Sequence, residues 1–231
     1  MHYRFFFSLS ISFVLNPLAS TLAPVYAQTI LSPGFCNQQN TAQDCMKQIL
    51  TKGRRLVSYG DYSGALTLYQ QAAQLNQNDA LIHSAIGFLQ IQQSNFAAAA
   101  IAYQRAIALA PMNDRFHYAL GFSLAYLGDN DGAEQAYRTA IKLRPNHVDS
   151  YLSLGLILTR KGEYRRALLS YVTALALQPE RPQIYQAIGA VYVELGKYQE
   201  ANTFFERAGQ LSYRPTPRLN RTENGLIGYQ R

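Results

Sequence analysis

The chain has 231 residues, a formal net charge of +7 and only 15% charged side chains. That length holds one or two ordinary domains, and the charge fraction is low for a soluble protein. The positive balance admits anionic partners, although much of it comes from the last residues, and two cysteines exclude a disulfide-dense fold.

Residues 1–27 read as a cleavable export signal. Arg4 gives a short positive start, and residues 5–15 are an apolar run broken only by serines. The run is too short for an ordinary spanning helix. Pro17 and Pro24 follow, and Val25 and Ala27 fit a peptidase site with cleavage after Ala27. No cysteine follows the cut, which argues against a lipid anchor there; an uncleaved anchor is the alternative. The expected location is the periplasm or another extracytoplasmic compartment. Export removes nucleotide pools and most nucleic acid from the partner list.

Residues 28–45 form a leader without internal similarity. Cys36 and Cys45 lie nine apart. Outside the cytoplasm they can pair, stapling the leader to the first helix with about 2–3 kcal/mol of chain-entropy stabilisation. Two free thiols are the alternative. The spacing is not that of a thioredoxin-like pair, and no nearby histidine supports a metal site.

From residue 46 the chain repeats. Gly53, Gly87, Gly121, Gly155 and Gly189 fall 34 residues apart. Twelve residues after each glycine stands an alanine (Ala65, Ala99, Ala133, Ala167, Ala201). Four further on is a ring: Tyr69, Tyr103, Tyr137, Tyr171 or Phe205. Three beyond the ring is a second alanine, from Ala72 to Ala208. Spacings of three, four and seven share one helical face, so each unit is a helix pair. The glycine is expected where a neighbouring backbone leaves no room for a β-carbon, with the ring filling the space between helices. A fixed period of this length marks a stacked array. The units are 46–79, 80–113, 114–147, 148–181 and 182–215. Gly60-Asp61, Ser94-Asn95, Gly128-Asp129, Gly162-Glu163 and Gly196-Lys197 make the turns within them, several with a capping side chain. Pro111, Pro145 and Pro179 close second helices. Asn130 stands where other units have Tyr62, Phe96, Tyr164 and Tyr198, so that join is expected to pack less well.

These phased residues resemble the tetratricopeptide repeat (TPR) family. The family's tryptophan, four residues before the glycine, is replaced by Ile49, His83, His117, Tyr151 and Tyr185, and Lys52 stands in place of the leucine before the first glycine. The resemblance implies an all-α, right-handed α-solenoid of stacked antiparallel helix pairs. It also implies that the first helices line a concave groove for a partner polypeptide. Carried onto this chain, the centre of that groove is Leu81, Phe88, Tyr118, Phe122, Tyr126, Leu152 and Leu156, an apolar patch with polar ends. The alternatives are that curvature buries the stripe between helices, or that the chain's own leader or tail covers it. The chaperone-tail clamp of some family members needs asparagines where this chain has Arg54, Phe88, Phe122, Leu156 and Ala190, so that activity is not expected.

Arg160, Lys161, Arg165 and Arg166 form a basic cluster at the turn of unit four, a weak candidate for a polyanion or carboxylate surface. Residues 216–231 are expected to be a basic, flexible tail. Self-association through the C-terminal face is possible, and membrane contact is peripheral if present. His83 and His117 read as core residues, and His147 as surface. Asp129-Asn130-Asp131 reads as a helix cap and not as a calcium loop. No catalytic motif is present. The expectation is a non-enzymatic scaffold or adaptor with no cofactor, no metal and no nucleic acid. The second reading is an accessory subunit of an envelope enzyme or assembly machine.

Overall fold

The structure, a computed structural model, describes residues 41–213, 220–221 and 227–228. The chain divides into two compact units, residues 1–48 and 49–231. Of the first, the described part is residues 41–48, the opening turns of α1 (Ala42–Ser58). Thr41 and Asp44 cap it reciprocally, the Thr41 hydroxyl donating to Asp44 at 2.7 Å and the Asp44 N–H donating back at 3.2 Å. The helix therefore begins inside the stretch expected to be leader.

Among the described residues, the second unit holds the rest of α1 and nine further helices. These are α2 (Tyr62–Leu75), α3 (Ala80–Gln92), α4 (Phe96–Leu109), α5 (Asp114–Tyr126), α6 (Asn130–Leu143), α7 (Val148–Arg160), α8 (Tyr164–Leu177), α9 (Pro182–Glu194) and α10 (Tyr198–Ser212). From α2 onward each helix packs on the next across a short connection, the arrangement of antiparallel pairs in a solenoid. The three-residue turn inside each pair needs a left-handed middle residue. Gly60, Gly128, Gly162 and Gly196 supply it, and in unit two Ser94 adopts φ 59° instead. The following residue caps the second helix in the first three units: Asp61, Asn95 and Asp129 accept from Gly64, Ala98 and Gly132. Glu163 and Lys197 make no side-chain cap bond.

The repeated glycine has a different cause from the one expected. A β-carbon on Gly87, Gly121 or Gly189 would come within 2.7, 2.9 and 2.7 Å of the paired ring of Tyr103, Tyr137 or Phe205. At Gly155 it would fall inside the contact distance of Tyr171. The neighbour that excludes the side chain is an aromatic ring, not a backbone. In units two to four the ring is itself buried: Tyr103, Tyr137 and Tyr171 are 5%, 2% and 3% exposed, whereas Tyr69 is half-buried and Phe205 in the last unit is 39% exposed. The phased alanines from Ala65 to Ala174 are all at 0%, which lets the helices close around the rings.

His83 and His117, expected in the core, are half-buried links. Each Nε2 pairs with a carbonyl of the preceding connection, Gln77 at 2.9 Å and Pro111 at 2.8 Å, and the Tyr185 hydroxyl donates to Pro179 in the same way at 2.8 Å. His147, expected on the surface, is part-buried. Its Nδ1 meets the Ser150 hydroxyl at 2.6 Å and its ring stands edge-on to Tyr118. In the tail the described residues form a two-residue antiparallel ladder, β1 (Asn220–Arg221) against β2 (Ile227–Gly228). Among the described residues no helix is long and apolar enough to cross a membrane.

Candidate partner-binding face

The residues expected to line a groove come from α3, α5 and α7. Leu81, Phe88, Tyr126 and Leu156 are exposed, and Tyr118, Phe122 and Leu152 are half-buried. They do not form one stripe. Tyr118 and Leu152 pack against the core of units three and four. The Tyr118 ring lies 5.7 Å from Tyr137, and burial pushes its hydroxyl pKa up. These two positions are therefore half-buried against that cluster and not open on the face.

Two exposed sites remain on the face. Between α3 and α5 a depression of about 390 Å³ gathers Leu81, Ser84, Ala85 and Phe88 with Arg115 and Ala119. Phe116, Tyr103 and Asn113 complete its lining. At the C-terminal end of α5 is an aromatic wall. Phe96, the first residue of α4, stacks on Tyr126 with centroids 4.4 Å apart, and Phe122 lies 4.7 Å from Tyr126. Phe96, Phe116 and Asn113 are additions to the residues read from sequence. Phe96 could have been found from its place opposite the end of the next first helix, one repeat phase away.

The basic cluster is not a free cationic surface. The Lys161 ammonium pairs with Asp131 at 2.6 Å and Glu134 at 2.7 Å. Arg166 pairs with Glu134 and Glu163, and Arg138 reaches Glu134 at 3.0 Å. Arg160 donates to the Ala125 carbonyl at 3.2 Å, and Arg165 is exposed. Burial raises the Glu134 carboxyl pKa, but Lys161 and Arg166 outweigh it and the net shift is downward. The cluster ties unit four to unit three, which leaves little charge for a polyanion. Cys45 is buried, and Cys36 lies outside the described residues.

The family model described as the Cilia and flagella-associated protein 70 middle TPR-like domain matches residues 91–211, and a TPR repeat model matches residues 53–94. The chain belongs to the tetratricopeptide repeat family. Among solved structures, a MamA crystal structure is 24% identical with a TM-score of 0.66, over 69% of this chain and 93% of its own. MamA from Desulfovibrio magneticus RS-1 is 19% identical with a TM-score of 0.69, over 72% and 94%. YrrB, described as a TPR protein with an unusual peptide-binding site, is 17% identical with a TM-score of 0.63, over 83% and 94%. No curated protein matches the sequence. These likenesses show the fold, an all-α solenoid of TPR units. Arrays of this family are in general protein-interaction scaffolds.

Proposed function

We propose that this TPR chain is a non-enzymatic scaffold whose α3–α5 face holds a segment of a partner polypeptide, and that it works outside the cytoplasm. The observation that carries the first part is the depression between the two helices. It keeps Leu81 at 68% and Phe88 at 43% exposure beside a half-buried apolar lining. Large apolar side chains held open around a concavity are what a partner's side chains fill. The test compares the full chain with a Leu81→Ala, Phe88→Ala variant of matched melting temperature, both used to capture proteins from an envelope extract. A partner held by the first and lost by the second is expected. A partner retained equally by both moves the binding site off this face.

The extracytoplasmic assignment is supported by the signal pattern of residues 1–27 and by Cys45, which is not a free thiol. In an oxidising compartment the partner proposed for Cys45 is Cys36, the other cysteine of the sequence. The mature protein is expected to begin at Gln28 and to take up a thiol reagent only after reduction. Two thiols reactive without reductant would overturn the pairing.

A further inference from the structure

The polar groups around the α3–α5 depression are nearly all committed within the fold. The Ser84 hydroxyl donates to the Leu81 carbonyl at 2.9 Å. The Asn113 side-chain oxygen accepts the Arg115 N–H at 3.1 Å, and its NH2 group makes no hydrogen bond among the described residues. Asp114, the acid next in sequence to Arg115, is taken by Arg144 at 3.4 Å. On the neighbouring α7, Asp149 is taken by Arg181 at 2.7 Å. Arg115 is exposed on the rim and pairs with no carboxylate among the described residues. The site thus offers an apolar seat on Leu81, Ala85 and Phe88 with an arginine and an amide as spare donors beside it. It offers no spare carboxylate. Donors without acceptors select an anionic group, and a guanidinium beside a carboxamide suits a carboxylate.

We infer that this depression recognises an apolar–acidic stretch inside a partner polypeptide, seating an apolar side chain on Leu81 and Phe88 and a side-chain carboxylate on Arg115 and the Asn113 amide. The inference rests on the reading that this face binds polypeptide, and it adds the chemistry that the partner must carry. The chain's own tail, with Arg214, Arg218, Arg221 and Arg231 against a single acid, has the wrong charge for this seat.

The test selects binders from a displayed random dodecapeptide library on the full chain. The winners are then synthesised with amidated C-termini and titrated by fluorescence anisotropy. Three variants accompany the wild type: Phe88→Ala, Arg115→Glu and Asn113→Asp. The last keeps a good helix cap while removing the donor. Peptides whose binding needs Phe88 are expected to carry Asp or Glu within two residues of an apolar side chain. Arg115→Glu should weaken them about ten-fold or more, the scale of one lost charge-assisted hydrogen bond. Asn113→Asp should weaken them in the same direction, and replacing the peptide's acid by Lys should restore binding to Arg115→Glu. Phe88-dependent peptides indifferent to Arg115→Glu would overturn the inference and leave the face as a general apolar groove. So would peptides that bind only through a free C-terminus. If no selected peptide depends on Phe88, both the inference and the groove fall.

Discussion

The joins between units two and three and between units three and four use the same slot in different ways. In the first, Phe96 at the start of α4 stacks on Tyr126 at the end of α5. One phase later the same positions hold Asn130 and Arg160. The stack is gone, and the Asn130 side-chain oxygen is buried without a hydrogen-bond partner. In its place Lys161, which stands where Leu127 does, is drawn back onto Asp131 and Glu134. A gap that sequence flags as a weak join is bridged by ion pairs. An apolar core runs across the join of units three and four, but in this one slot apolar area is used at the first join and charge at the second, so the two should differ in their response to salt and pH and need not differ in strength.

The largest effect should come from inside a pair, and it calibrates the joins. Gly155→Ala gains about 1 kcal/mol of helix propensity. It also drives a methyl group into the buried Tyr171 ring, an overpacking cost of about 3 kcal/mol. A net loss of about 2 kcal/mol in urea unfolding is expected, and an unchanged midpoint would mean that the ring moves freely. Next is Phe96→Ala, which removes a half-buried ring and two aromatic contacts. It should cost about 1.5 kcal/mol, with the same value in low and high salt.

Glu134→Ala should cost about 1 kcal/mol at neutral pH and low ionic strength, and less in 1 M salt. The pH behaviour has a definite sign. The folded Glu134 carboxyl titrates below its ordinary value. Its contribution is therefore complete above the unfolded pKa and is lost as pH falls through the folded one. Acidification from about pH 6 to about pH 3 should lower the melting temperature of the wild type more than that of Glu134→Gln. Equal falls would mean that the ion pairs do not hold this join. The smallest effect is a gain. Asn130→Phe removes an unpartnered buried oxygen and offers a ring to Arg160, and it should stabilise by about 0.5 kcal/mol. A loss would show that the slot has already closed around asparagine.

The repeat phase, the helix pairs and the turns were legible because each rests on a rule that acts over a few residues and recurs. The capping pair Thr41–Asp44 obeys such a rule too, but it lies ahead of the first phased residue, and the helix start was placed too late. The face was legible only in part. Tyr118 and Phe122 sit one helical turn apart with similar character, yet one packs on Tyr137 and the other on Tyr126. Which way a half-buried position points depends on how successive helices cross, and one unit read alone does not contain that. The intrachain partners of the basic cluster were not legible for a related reason. Its carboxylates Asp131 and Glu134 lie about one phase upstream and meet Lys161 only through stacking.

The ring seated over each glycine also governs registration. Sliding α7 along α8 by one turn would carry Tyr151 or Thr159 under Tyr171 in place of Gly155, and neither leaves the ring a place. Each pair is pinned against slippage by a notch one methyl group deep. Yet the same notch occurs in every unit, so it carries no information about which first helix belongs with which second helix. A second helix that met the wrong glycine would find it equally accommodating. Telling neighbours apart falls to the places where the repeats disagree, the Phe96–Tyr126 stack and the Glu134–Lys161 pair, which act as addresses in an otherwise uniform array.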